Sequence, residues 1–210
     1  MEDRKLTPQQ SMALITQMIE SSRQRVAMPD LRISIMWACL TIITAAIVLV
    51  VSLVNYNPLI NIVWFAIPVI GIPANRIMAK KSDGEKGAKT VIDKISDGLW
   101  KIVGVIAIIL SVICLIFNLC GYPQAWLAMF YYAFITVGFG AAVTGIILKE
   151  NSYVFGGIFS IMAGFIVIVL NICMMPLRIV WMLPLYMICF LLMFIVPAFM
   201  IRKKLNAAKR

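Results

Sequence analysis

The chain has 210 residues, 62% of them hydrophobic and 13% charged, with a mean hydropathy of +0.97 and a net charge of +10. A soluble fold of this length has no interior large enough for that much apolar surface, so lipid has to be the solvent. Five cysteines and no histidine exclude imidazole metal sites, Ser-His pairs and an imidazole switch near neutral pH.

Residues 1–32 precede the first apolar run and include Glu20 and Asp30. That is the wrong flank for a cleaved signal peptide, so the run is read as a retained span. Leu6 to Met28 predicts a cytoplasmic amphipathic helix outside the bilayer core. Thr7 and Gln10 have the spacing of a capping box, and Pro8 falls at the first helical position. Leu14, Ile15, Met18, Ile19 and Val26 recur at helical spacing, with Gln9, Gln17, Glu20, Arg23 and Gln24 mostly on the other faces. The stripe is too narrow to span; it either rests on the interface or docks in a groove. A polar face of glutamine and serine with Glu20 gains little from anionic headgroups. Leu14, Ile15, Met18 and Ile19 are therefore the candidate partner-binding residues. Met28-Pro29-Asp30 is expected to end this helix, since proline restricts the residue before it.

Six apolar runs follow, at 33–54, 59–79, 99–119, 124–148, 154–174 and 179–201. Each is long enough to cross the hydrocarbon core as a helix, which makes the fold class all-α and polytopic. In the first run Ser34, Thr41, Thr44, Ala45 and Ser52 gather on one face, which should turn inward. The second carries Pro68, Gly71 and Pro73, and a kink is expected where each proline withholds its donor. The interval 80–98 is the only long polar one: flexible by composition from Lys80 to Lys89, then an amphipathic helix with Val91, Ile92, Ile95, Leu99 and Ile102 in register. Trp100 is expected as an interfacial anchor. Gly138, Gly140, Ala141, Ala142 and Gly145 in the fourth run, and Gly156, Ser160 and Gly164 in the fifth, predict an antiparallel hairpin packed along small residues. Pro184 and Pro197 are expected to kink the sixth run, and Arg202-Lys203-Lys204 opens the basic tail 202–210.

Lysine and arginine resist translocation, so their distribution orients the spans. With six spans and both termini inside, 18 of the 19 fall on the cytoplasmic side and only Arg178 falls outside. The pattern N-x-C-x-x-P occurs at Asn118–Pro123 and again at Asn171–Pro176, a hint that span pairs are repeated. It also predicts that Cys120 and Cys173 share one outer depth; if the third and fifth spans are neighbours, the two could form a disulfide in an oxidising periplasm.

No Asp, Glu, Lys or Arg lies in the interior of a span; Arg76 and Lys101 fall in the end turns. Buried charges mark proton relays and ion paths, and without them a proton-coupled carrier or an intramembrane hydrolase is not expected. Asn61, Asn75, Thr136, Thr144 and Asn171 are candidates to line a path for a neutral solute, or more simply to bond helix to helix. Cys173-Met174-Met175 is a weak soft-metal signal beside the ordinary gap-filling use of methionine. No catalytic set, cofactor, metal or nucleic-acid partner is expected; the basic residues suit topology and headgroups.

The opening stretch LTPQQSMALITQMIESSRQRVAMPDLRISIMWACL resembles the start of a group of small uncharacterised bacterial integral membrane proteins. These begin with a capped LT-x-x-x-S helix ending in MI before the first span. The resemblance covers about the first forty residues and implies a bacterial inner membrane as the address, with no activity attached. The expected function is a subunit or regulatory partner in that membrane; the alternative is a carrier or channel for a neutral small solute.

Overall fold

A computed structural model of the chain describes the backbone of residues 8–54, 57–86 and 91–207. Side chains are described for residue 12 and for 31–54, 57, 59–80, 94–204, 206 and 207. Thr7 of the capping box and the side chains of Leu14, Ile15, Met18 and Ile19 lie outside the described residues. All regular structure among the described residues is helical. Six helices are long and apolar enough to cross a membrane: Leu31–Val54, Leu59–Lys80, Lys94–Leu119, Pro123–Leu148, Asn151–Ile172 and Ile179–Lys204. The chain is built as a multi-pass membrane protein. One end of the bundle carries Lys149, the basic interval and the C-terminal helix. The other carries the turns near residues 57, 121 and 174, with Arg178 its single cation among the described residues. These are the basic and the neutral end.

Two helices run further than expected. Pro8–Val54 is one helix of 47 residues, so neither a stop at Met28-Pro29 nor a linker to residue 32 is present. A proline removes one backbone bond and crowds the turn before it, which bends a helix more readily than it ends one when helix formers continue on both sides. Likewise Ala66–Lys86 is helical, so Lys80 to Lys86 continue the second helix instead of forming flexible chain. Lysine and glutamate are good helix formers, and leaving the bilayer does not break the bond ladder. Residues 87–90 lie outside the described residues. After them Val91–Leu119 runs unbroken from the amphipathic segment into the third span.

Proline acts in the second and sixth spans by changing the helix type. The second begins as a 3-10 helix, Pro58–Phe65, capped by the Asn57 side chain, which accepts from the Leu59 N–H at 3.0 Å; it becomes α-helical only from Ala66. Pro68 thus falls in the opening α-turn, where a missing donor costs little. In the sixth span the residues before Pro197 form a π-turn, Leu191–Ile195, in which Val196 N–H reaches back five residues to the Leu191 carbonyl. The wider turn makes room for the Pro197 ring.

The core is made by the first, fourth, fifth and sixth spans. The sixth contributes the longest row, from Met182, Leu183 and Tyr186 through Cys189, Phe190, Met193 and Phe194 to Ala198 and Ile201. The first packs against it through Ala38, Thr41, Thr44, Ala45 and Val48, all buried. That is the inward face expected for this span, with Ser34 and Ser52 at its half-buried margins. The second span lies outside on the first, where Trp37 covers Gly71. The third lies outside on the fourth. Only 6% of the second span's most apolar stretch and 17% of the third's is buried, against 50% for the fourth.

The fourth and fifth spans form the expected antiparallel hairpin, and small residues set its closeness. A Cβ on Gly157 would stand 2.4 Å from the Gly138 carbonyl oxygen, and one on Gly145 2.7 Å from Val154 N. Gly156, one step round the same helix, faces the sixth span instead, where a Cβ would fall 2.3 Å from the Leu192 carbonyl oxygen. The fourth span contains its own π-turn, Tyr132–Val137. Such a turn strains the regular carbonyl pairing, and here the Phe134 carbonyl accepts from the buried Ser160 hydroxyl at 3.0 Å, tying the hairpin across. The Tyr132 hydroxyl donates to the Val103 carbonyl of the third span.

Trp100 packs against the fourth and sixth spans. It lies half-buried on Gly140, 5.7 Å from the Phe194 ring, and its indole N–H donates to the Thr144 hydroxyl oxygen at 3.2 Å. The missing side chain of Gly140 leaves a notch that an indole fills, and Thr144 supplies the acceptor.

The recurring N-x-C-x-x-P has a local cause. At both places the helix ends in the same cap. Gly121 and Met174 adopt left-handed conformations (φ 91° and 57°), their N–H groups bond to Asn118 and Asn171 carbonyls, and the next N–H groups, of Tyr122 and Met175, reach Phe117 and Leu170 at 2.9 Å. Proline follows such a cap because it cannot continue the helix. Lys149 (φ 53°) ends the fourth span in the same way without those letters. For Met174 and Lys149, which carry a Cβ, the left-handed conformation costs roughly 1 kcal/mol each. Cys120 and Cys173 are both exposed at the neutral end, and all five cysteines are unpaired.

Candidate functional site

Uncharged polar residues collect where five structural elements meet at the neutral end. The first span brings Ser52 there, the second Asn61, the fourth Gln124 and Trp126, and the fifth Asn171; Met175 and Leu177 of the last turn close one side. Together they surround a cavity of about 260 Å³. Its apolar wall is made by Val48, Leu127, Phe130 and Met182. Among the described residues, none in the lining carries a charge.

Local structure places the key indole. Pro123 opens a short 3-10 turn, Pro123–Trp126, that starts the fourth span. The Cys114 thiol donates to the Ala125 carbonyl at 3.2 Å and fixes that turn on the third span. Trp126 then points inward, 4% exposed, with its ring edge-on to Phe65 at 6.2 Å. Its Nε1 has no hydrogen-bond partner among the described residues, and neither does the enclosed Ser52 Oγ. Beneath the cavity Phe130 packs edge-to-face on Trp64 at 6.1 Å and on Tyr186 at 5.5 Å, so the floor is rigid and aromatic.

An indole N–H only donates, a hydroxyl donates and accepts, and carboxamides do both. The carboxamides of Gln124 and Asn171, exposed in the lining, can orient a molecule by hydrogen bonds. Among the described residues, none that lines the cavity has a titratable side chain.

Of the five residues expected to line a path, the structure brings Asn61 and Asn171 together here. Thr144 is engaged far from them, accepting from Trp100 and donating to the Gly140 carbonyl at 2.8 Å. Asn75 lies near the basic end of the second span and Thr136 in the π-turn of the fourth, both half-buried. Cys173 and Met174 are exposed, while Met175 joins the cavity rim. Trp126, Ser52 and Gln124 were not singled out as ligand contacts by sequence reasoning. The signal available was positional: Ser52, Asn61, Gln124 and Asn171 all fall within about one helical turn of a neutral-end boundary. Comparison of the chain with family models, curated proteins and solved structures finds no match.

Proposed function

We propose that the chain is a non-enzymatic multi-pass protein of a bacterial cytoplasmic membrane, a subunit or regulatory partner that docks through its N-terminal helix. The observation that supports this is the unbroken helix Pro8–Val54, which joins the stripe of Leu14, Ile15, Met18 and Ile19 to a span packed in the core. Residues 8–30, 23 in number, precede that span and reach ~35 Å at the usual helical rise. A stripe on a helix anchored at one end loses less freedom on docking than a free segment does, which favours a groove-binding role. Changing Ile15→Ser together with Ile19→Ser is expected to cut recovery of a stoichiometric partner about tenfold or more in a mild-detergent pull-down. Membrane insertion and abundance should stay as they were. Unchanged recovery would sink the docking reading.

The basic end is assigned to the cytoplasm on the eighteen-to-one distribution of lysine and arginine. In a chain whose native cysteines are alanine, Ser82→Cys, Ser152→Cys and Lys209→Cys should be shielded from a membrane-impermeant maleimide in intact cells. Asn57→Cys should label. Labelling at Ser82→Cys from outside would invert the whole assignment.

The neutral-end cavity favours one second reading, a carrier or channel for a neutral small solute. Solute flux into proteoliposomes of the purified chain, without any partner, separates it from the first.

A further inference from the structure

We propose that the fourth span has two registers: its π-turn Tyr132–Val137 tightens to α-helix, and the segment Pro123–Tyr131 slips outward by one residue, widening the neutral-end cavity. This goes beyond docking through the N-terminal helix and does not depend on it. A π-turn holds one residue more than the α-turn it interrupts. Absorbing that residue turns the helix beyond it by about 100° and lengthens it by about 1.5 Å. Local bonding leaves this turn close to the change. The Gly138 N–H, which an α-turn would point at the Phe134 carbonyl, bonds to the Ile135 carbonyl instead. Ser160 supplies the missing donor to Phe134 at 3.0 Å. Beyond the turn, the segment is tied to the third span through sulfur: Cys114 Sγ donates to the Ala125 carbonyl, and Ser111 Oγ to Met129 Sδ at 3.6 Å. Sulfur makes weak hydrogen bonds, so these ties give way easily.

The register described above leaves two groups on this segment unsatisfied. Trp126 Nε1 and the Tyr131 hydroxyl are sealed from cavity and solvent alike and have no partner among the described residues. Such groups forfeit their hydration without return. After a slip of one residue each side chain stands where its predecessor stood. Leu127, with nothing polar to satisfy, takes the sealed place of Trp126. Trp126 takes that of Ala125, half-exposed near the membrane boundary, where an indole finds acceptors. Tyr131 takes the place of Phe130, so a ring still meets Trp64 and Tyr186. In the lining Ala125 and Ala128 replace Gln124 and Leu127, and the cavity widens. The added length goes to the turn at Gly121, where φ is 91° and a Cβ would meet nothing within 4 Å.

The test uses the full chain in lipid nanodiscs, with ¹⁵N in the indoles. Five tryptophans give five indole signals, and Trp126 is assigned by its loss in Trp126→Phe. The second register, populated at about 1–10%, should give the Trp126 signal microsecond-to-millisecond relaxation dispersion. Its N–H should exchange with deuterium faster than that of Trp100, which is held by Thr144. Ser160→Ala takes the donor from the Phe134 carbonyl and so favours the α-turn. It should speed Trp126 exchange about fivefold and leave Trp100 unchanged. Flat dispersion at Trp126 in both chains would overturn the proposal. So would a Ser160→Ala effect shared equally by Trp100, which reports the whole hairpin loosening, or an effect at neither. Should Ser160→Ala fail to fold, dispersion at Trp126 against a flat Trp100 on the unaltered chain decides alone.

Discussion

Substituting Gly157→Val is expected to pull apart the fourth and fifth spans at a cost of about 3 kcal/mol or more. The new Cβ would stand 2.4 Å from the Gly138 carbonyl oxygen, 2.6 Å from Ala142 N and 2.8 Å from Ala142 Cβ. The two nearest are backbone atoms and cannot rotate aside, so the helices themselves have to separate. Separation loosens the contacts at Gly138, Gly145 and Gly164 and stretches the Ser160 bond to the Phe134 carbonyl. In lipid, packing and interhelical bonds hold helices together, and no aqueous hydrophobic drive closes them again. Overpacking ordinarily costs about 1–3 kcal/mol, and a clash with two backbone atoms of the fourth span puts this site at the upper end. Reversible unfolding in mixed micelles reads the loss. Gly98→Ala and Gly104→Ala are the controls, since a Cβ at either meets nothing within 4 Å. These should leave stability unchanged or raise it by up to about 1 kcal/mol. A comparable loss at Gly104 would show that close packing is not what the hairpin glycines supply.

The second large effect is expected at Tyr186, whose truncation to alanine should cost about 3 kcal/mol. Its ring is the hub of the aromatic cluster, with centroids 4.7 Å from Phe190, 5.5 Å from Phe130, 5.7 Å from Trp64 and 6.0 Å from Phe134. Those partners come from the second, fourth and sixth spans, so one deletion loosens three helices. The void also removes the edge that holds Phe130 as the floor of the neutral-end cavity. Tyr186→Phe keeps every ring contact and should cost less than about 1 kcal/mol. The same unfolding measurement distinguishes them; equal losses would assign the effect to the hydroxyl and not to the cluster.

The spans were legible because charge punctuates them. Arg76, Lys101, Lys149 and Arg202 mark one set of boundaries, and Pro58, Pro123 and Pro176 the other. The hairpin was legible from Gly138, Gly145, Gly156 and Gly164, since spacing alone puts small residues on a face. Spacing does not say which partner that face meets. Gly156 and Gly157 turn to different helices, and only the assembled bundle shows that the sixth span is the centre. Trp100 illustrates the same gap. Its depth suited an anchor, but Gly140 and Thr144, some forty residues on, make a better berth inside. The cavity was half legible. Asn61 and Asn171 stood out as polar residues in apolar runs, whereas Trp126 reads as one more aromatic residue until its N–H is found without a partner. Pro29 misled because a local rule about chain direction was applied where a long helix outweighs it.

The first span rests on the last. Its inward row of Ala38, Thr41, Thr44, Ala45 and Val48 packs on the sixth span, while the second and third stay largely outside. During synthesis the first span enters the membrane well over a hundred residues before its partner is made. Until then its threonines and alanines face lipid or an attendant protein, and the second span is the only early neighbour available to it. Closure of the first span on the sixth waits until both are made, and it carries the entropy of the chain between them. Truncation after the fifth span would strand the first as well as delete the sixth, and a nascent chain stalled there is the natural substrate for membrane quality control.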